Sequence, residues 1–127
     1  DLWATGIAPD GHPTRFIRQE LEEEGVITAA DLLNCELNKV KVAGVVTHRQ
    51  RPATASGTVF VNLEDETGLV NVIVSSGCWL RFRSVVRSES ALKVHGRLER
   101  HGRVSNVIAE KIEKLEIGLT VSSRDFR

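Results

Sequence analysis

The sequence is poor in aromatic residues and has only two cysteines. Phe and Trp make up 5% of its 127 residues, and Tyr and Met do not occur. Cys35 and Cys78 are too few for a four-cysteine zinc site, and their spacing is not that of a redox pair. Nothing else in the sequence indicates secretion, so we expect reduced thiols and a cytoplasmic protein, with a disulfide as the alternative.

Long apolar runs are also missing. No run approaches 18 consecutive apolar residues, so the sequence predicts no membrane-spanning helix and no membrane partner. The first residues, DLWATGIAPDG, lack the basic start and apolar run of a signal peptide. The absence of an initiator methionine favours a segment of a longer chain. The hydrophobic content of 41% is sufficient for one domain with a core.

The net charge of zero hides two oppositely charged segments. Residues 1–38 contain eight acidic residues and two arginines, a net charge of −6. Residues 39–114 contain thirteen Lys and Arg and seven acidic residues, a net charge of +6. We interpret the chain as an acidic helical arm (1–38), a basic barrel (39–115) and a tail (116–127). A basic domain suits a polyanionic partner, but attraction between the two segments explains the asymmetry equally well.

The arm has the signals of short helices. Pro13 suits a first helical turn, and Gly25 suits a helix end. Phe16, Ile17 and Leu21 recur at helical spacing between them. The segment 28–31, TAAD, has the spacing of a capping box with Asp in place of Glu, which predicts a second short helix.

After residue 38 the period changes from helical to alternating. The pattern predicts strands over 39–47, 58–64, 69–75, 91–100 and 104–114, with a helix over 77–86. Gly44 predicts a bend in the first strand, residues 49–57 a loop, and residues 65–68 a tight turn. Three strands, a helix and two strands are the order of the five-stranded OB-fold Greek-key barrel. An SH3-like barrel fits less well because it lacks a helix of that length there.

An OB barrel binds nucleic acid across strands two and three, between the first and last strand-connecting loops. Cations there would neutralise phosphates, and an aromatic ring could stack on a base. The candidates are Arg49, Arg51, Phe60, Asn62, Asn71, Lys93, Arg97, His101 and Arg103. In the alternative interpretation the cations are ordinary solvated surface, and Phe60 packs under the loop or against the arm.

Other conspicuous residues favour structural interpretations. Trp79 and Phe82 are interpreted as a plug that closes the barrel rather than a ligand cage. The helix arginines at 81, 83 and 87 are interpreted as a solvated face rather than phosphate contacts. The carboxylates at 64–66 are not expected to bind a metal, because neighbouring side chains on a strand and turn point in different directions. We expect no catalytic residue, metal or cofactor in this chain.

Four separated motifs resemble one family. The segments VAGVVTHRQRPATA (42–55) and FVNLEDETG (60–68) resemble the C-terminal OB domain of bacterial C-family replicative DNA polymerases. The segments ATGIAPDGHP (4–13) and SRDFR (123–127) resemble its error-prone members more narrowly, so the resemblance covers essentially the whole chain. This sequence has ASG at 55–57 where a more glycine-rich loop tip is expected, which leaves the loop conformation open.

The resemblance implies a role for the parent chain. Such polymerases extend DNA across damage in the cytoplasm, with a sliding clamp and an accessory subunit similar to a Y-family polymerase. Their catalytic carboxylates lie upstream of this segment, so no catalytic residue is carried over. The resemblance implies an OB domain near the single-stranded template, with Arg49, Arg51, Phe60 and Asn62 as loop and strand-two candidates.

These observations lead to three hypotheses. The first is a non-catalytic domain that binds single-stranded template DNA for damage-tolerant synthesis. The second is a protein-interaction module that docks the polymerase onto its accessory subunit or clamp. The acidic arm and the low content of aromatic residues favour this hypothesis. The third is an anticodon-binding OB domain of a synthetase.

Overall fold

Residues 11–52 and 56–117 are described by a computed structural model. The remaining residues include most of the motifs ATGIAPDGHP and SRDFR, nearly all of the predicted tail, and the centre of the HRQRPATA loop. Within the described part, five strands form a closed barrel and four helices accompany them. The strands are β1 (Lys39–Gln50), β2 (Val59–Asp65), β3 (Gly68–Val74), β4 (Ala91–His101) and β5 (Val104–Lys114). The helices are α1 (Pro13–Phe16), α2 (Arg18–Glu23), α3 (Ala29–Leu32) and α4 (Ser76–Ser88).

The barrel closes in the strand order β1-β2-β3-β5-β4. Strand β1 pairs antiparallel with β4 through its first half and with β2 through its second half, and β5 closes the barrel by pairing parallel to β3. Two glycines permit the close approach of strands. A Cβ added at Gly44 would lie 2.6 Å from the Glu64 carbonyl oxygen, and one at Gly96 would lie 2.4 Å from the Ile108 carbonyl oxygen. The bend predicted from Gly44 thus falls where β1 is shared by two neighbours.

Alternating apolar residues fill the barrel. Val61, Leu63, Val72 and Val94 are each no more than 2% exposed, and they belong to the same core cluster. Helix α4 follows the end of β3 and closes one end of the barrel through buried Cys78 and Val86, with Trp79 and Phe82 packed partly buried against the core. Helix α3 lies beside the start of β3 and adds Ala29 and Leu32 to the same core. The two helices therefore cover opposite ends of the barrel.

The described part of the arm, residues 11–38, packs on the outside of β1. Leu21 and Val26 form a second apolar cluster with Ala43, Ala91 and Leu115. Between Pro13 and Gly25 the arm forms two short helices, α1 and α2, instead of the single one that the spacing suggested, because the chain breaks from helical geometry at residue 17, whose φ is −114° and ψ 14°. Phe16 consequently lies 69% exposed.

The carboxylates of Glu64, Asp65 and Glu66, here called the acid triplet, hold the arm from the β2–β3 turn. Nε2 of buried His12 lies 3.3 Å from Oε1 of Glu64. The Asp65 carboxylate accepts a hydrogen bond from the Ala29 backbone N–H at 2.8 Å. This carboxylate also accepts hydrogen bonds from within its own turn, as the turn chemistry predicted. The acid triplet therefore joins the two oppositely charged segments through buried contacts.

Glu66 makes the strongest of these contacts. Nε and Nη2 of Arg18 donate to its two carboxylate oxygens at 2.6 and 2.8 Å, and the Thr14 hydroxyl donates at 2.7 Å. Burial opposes the ionisation of Glu66, but the hydrogen bonds from Arg18 and Thr14 outweigh it and lower the pKa of Glu66 to about 2. The carboxylate is therefore charged at neutral pH, which favours the docked arm.

The predicted fold is confirmed: an OB-fold Greek-key barrel of five strands with a helix between strands three and four, preceded by short helices. The capping box is also present, because the Thr28 hydroxyl accepts from Asp31 N–H and the Asp31 carboxylate accepts from Thr28 N–H. One boundary was wrong. Arg49 lies within β1 rather than in the following loop, because β1 continues its pairing with β2 as far as Gln50. None of the helices in the described residues is long and apolar enough to cross a membrane.

Candidate nucleic-acid interface

The outward side chains of β2, β3 and β5 form a surface that we call the open face. Its first row is polar, because the strand register places Asn62 opposite Asn71 and Asn71 opposite Asn106. Nδ2 of Asn62 donates to Oδ1 of Asn71 at 2.7 Å. This bond leaves Nδ2 of the exposed Asn71 available to a ligand. The row therefore presents amide donors and acceptors from three adjacent strands.

The second row is apolar. Phe60 lies opposite Ile73, which in turn lies opposite Ile108. The Phe60 side chain is 38% exposed, and both isoleucines are half-buried. An exposed ring on a flat, partly apolar surface can receive a nucleobase by stacking. The structure thus places Phe60 on the outside of the barrel, away from the core valines of β2.

Two exposed arginines lie at opposite ends of the open face. Arg51 follows the end of β1, where Gln50 pairs with Phe60. Arg103 lies in the β4–β5 turn and lines a groove of about 240 Å³. The groove is also lined by Leu33, Leu69, Asn71 and Val104, among others. Neither arginine has a carboxylate oxygen within 4.0 Å among the described residues. Both guanidinium groups are therefore available to phosphate oxygens.

Lys93, a predicted cation on β4, lies on a different side of the barrel, where the arm packs. Lys93 pairs with Glu24 of the arm and lies 3.8 Å from Glu113 of β5. A hydrogen bond with His95, on the same strand as Lys93, lowers the pKa of Glu113. These charges therefore neutralise one another on the surface where the arm packs. They lie away from Phe60, because β5 separates β4 from β3.

The remaining predicted residues are also engaged. The guanidinium of Arg97 and the imidazole of His101 lie 3.7 and 3.2 Å from the Glu99 carboxylate. Arg49 donates to the backbone carbonyls of Val86 and Glu89, both at 2.6 Å. Of the nine candidates, the structure thus brings five to the open face or its ends. These five are Arg51, Phe60, Asn62, Asn71 and Arg103.

Sequence reasoning missed two members of the open face, Ile73 and Asn106. The alternation of each strand predicts that both side chains point outward. It does not predict which residues lie beside them, because the parallel pairing of β3 with β5 joins residues 35 positions apart. Within residues 11–52 and 56–117, no three His, Cys, Asp or Glu side chains converge as a metal site.

Comparison with known proteins agrees with this geometry. Residues 40–115 match the family described as the OB-fold nucleic acid binding domain. The chain belongs to that family. It is also 51% identical, over its whole length, to the error-prone DNA polymerase of Nocardia farcinica. The resemblance to error-prone DNA polymerases is therefore confirmed. The chain spans 11% of the length of that relative, so it corresponds to one domain of a much larger protein.

Solved structures agree on the OB fold at low sequence identity. An asparaginyl-tRNA synthetase from Pyrococcus horikoshii aligns with a TM-score of 0.60 and 22% identity, over 72% of this chain and 22% of that one. A replication protein A heterotrimer bound to single-stranded DNA aligns with a TM-score of 0.52 and 20% identity, over 72% of this chain and 69% of that one. At these identities the likeness establishes the fold alone.

Proposed function

We propose that this OB domain binds single-stranded template DNA across its open face, as part of an error-prone DNA polymerase. One observation carries the proposal. The open face combines an exposed ring and a row of amides with an arginine at each end that has no carboxylate partner in the described residues. The described part of the arm, residues 11–38, packs on β1, β4 and the β2–β3 turn, and α3 reaches the edge of the open face.

Each part of the open face suits a different part of a single strand. Phe60 would stack on one base, and Asn62 and Asn71 would hydrogen-bond to base edges. Arg51 and Arg103 would neutralise phosphates at the two ends. Among the described residues, one aromatic ring is exposed on this face, so we expect binding to be mainly electrostatic, weak, and tolerant of sequence.

The test is a fluorescence anisotropy titration of the 127-residue chain with labelled oligo-dT over a salt series. We expect affinity to fall steeply as salt rises, and Arg103→Gln to reduce the salt slope by about 0.7. Lys111→Gln is the matched control, since this lysine is equally a surface cation but lies 3.3 Å from the Glu113 carboxylate. Absence of binding at low salt, or equal effects of the two substitutions, would refute the proposal.

For the parent chain, the likeness supports a proposal at a larger scale. We propose a cytoplasmic DNA polymerase that acts in damage-tolerant synthesis, with the catalytic residues outside this domain. A sliding clamp and an accessory subunit similar to a Y-family polymerase are its proposed partners. No metal or cofactor is assigned to this domain.

A protein-docking role is the second candidate, and exposed apolar residues favour it. Leu33, Leu69 and Val104 are 65%, 49% and 50% exposed and line the groove beside Arg103. Such a groove could hold a side chain of the accessory subunit. Capture of that subunit by the chain, abolished by Leu33→Asp while oligo-dT binding persists, would favour docking over DNA binding.

A further inference from the structure

Helix α4 carries three arginines and not one acidic residue in its thirteen positions. In the described residues, no carboxylate oxygen lies within 4.0 Å of the Arg81, Arg83 or Arg87 guanidinium groups. The lysines at 39, 93, 111 and 114, by contrast, all have carboxylate partners on the barrel or arm. Three cations without a carboxylate partner in the described residues therefore lie together on α4, whereas these four lysines are paired.

Three residues of α4 recur at four-residue spacing: Trp79, Arg83 and Arg87. Residues four apart are neighbours on one side of a helix, so these three form a continuous ridge. The guanidinium of Arg51 lies 5.5 Å from the centre of the Trp79 ring. Arg51 therefore connects this ridge to the open face, because it follows the residue that pairs with Phe60. We call Arg51, Trp79, Arg83 and Arg87 the α4 ridge.

The helix dipole does not account for all of these arginines. A cation in the last turn of a helix is favourable by itself, and Arg87 lies there. Arg83 lies one turn earlier, beyond the reach of that effect. Arg49 moreover already supplies a cation at the C-terminal end of α4, where it donates a hydrogen bond to the Val86 carbonyl. Arg83 and Arg87 also share a surface depression with Ser84 and Ser88, which supply hydroxyl groups.

We propose that the α4 ridge is a second nucleic-acid contact, which binds the phosphates of a strand leaving the open face past Arg51. This inference rests on the proposed function and extends the DNA path around the end of the barrel. Guanidinium groups that flank an indole ring suit a strand that alternates phosphates and bases.

The test compares oligo-dT of two lengths, about 6 and about 20 nucleotides, which bracket the span of one OB fold. The variant is the double substitution Arg83→Gln and Arg87→Gln. We expect its affinity for the long oligonucleotide to fall roughly tenfold, and its salt slope to decrease by about 1.4, for two lost phosphate contacts. Affinity for the short oligonucleotide should not change, because it can be held by the open face alone.

The matched control is Lys39→Gln with Lys111→Gln, which removes the same charge from residues paired with Glu110 and Glu113. It should leave both affinities unchanged. The proposal is refuted if both double variants lose the same affinity for the long oligonucleotide, or if neither loses any. This holds even if the ridge is found to bind an acidic protein.

Phe60→Ala distinguishes failure of this inference from failure of the proposed function. If Phe60→Ala weakens binding of the short oligonucleotide but the ridge variant does not weaken binding of the long one, the open-face proposal is supported and the ridge proposal is refuted. If only the ridge variant loses binding, the open face is not a contact, and the proposed path from it to the ridge is wrong.

Discussion

The two sides of this barrel use polar residues in opposite ways. On the covered side, where the arm packs on β1 and the β2–β3 turn, charges are paired: Arg18 with Glu66, and Lys93 with Glu24. On the open face the polar groups are neutral amides, and the arginines at its ends have no acidic partner in the described residues. The covered side holds the molecule together, whereas the open face is free to bind.

The comparison shows why the count of cations is a poor guide to a polyanion site. Residues 39–114 have a net charge of +6, which suggested a uniformly basic barrel. The structure neutralises much of that charge on the covered side, where the acidic arm and the carboxylates of β5 supply partners. A cation matters for binding only where the fold leaves it unpaired.

The largest expected effect breaks the covered side. Leu21→Ala removes a side chain that is 3% exposed from the cluster between the arm and β1. We expect the free energy of unfolding to fall by about 3 kcal/mol, measured by urea denaturation. Oligo-dT affinity at a temperature where the variant is folded should stay within twofold of the original. A large loss of affinity would mean that the arm also shapes the open face.

The next effect removes the ion pair that joins arm and barrel. Arg18→Gln should lower the free energy of unfolding by about 2 kcal/mol at pH 7, because Glu66 loses its charged donor. The contribution of Glu66 is fully present above its usual pKa near 4.5 and is lost as pH falls towards about 2. The difference between the two proteins should therefore shrink between pH 5 and pH 2 in urea denaturation. A difference independent of pH would contradict this role for Glu66.

A smaller effect breaks the open face without disturbing the fold. Phe60→Ala should weaken oligo-dT binding by about 1 to 2 kcal/mol, since stacking on one base is lost. Leu37→Ala is the control, because this residue is also an exposed apolar side chain, at 63%, but lies two positions before β1. Anisotropy titrations give the affinities. Equal losses for both variants would show that Phe60 has no specific contact.

The smallest expected effect concerns a paired surface cation. Lys111→Gln should change the free energy of unfolding by less than about 0.5 kcal/mol, because an exposed ion pair contributes little. Its oligo-dT affinity should also be unchanged. A clear loss of affinity would mean that pairing with Glu113 does not remove this lysine from the binding surface.

Local patterns predicted the elements of this fold well. Alternation of valines located the strands, and the Thr28–Asp31 spacing located α3 with its capping box. The valine rows of β2 and β3 pointed Phe60, Asn62 and Asn71 to the opposite surface. These features depend on neighbouring residues, which a sequence displays directly.

The parts that could not be predicted depend on contacts between distant residues. Glu66 meets Arg18, 48 positions away, and nothing near either residue indicates that pairing. The insertion of β5 between β3 and β4 moved Lys93 away from the open face and left Arg97 opposite Ile108 at its edge. The four-residue spacing of Trp79, Arg83 and Arg87 was visible in the sequence, but its link to the open face depends on the position of Arg51.

The most direct test of the central claim is a map of the DNA contacts on the folded domain. Backbone-amide chemical shifts would be followed by NMR while oligo-dT is added at low salt. The account predicts that the largest shifts cluster on the open face, at Phe60, Asn71, Ile73 and Asn106, and extend to Arg51 and Arg103. Shifts that cluster instead around Lys93 and His95 on β4, with Phe60 and Asn71 unmoved, would contradict it.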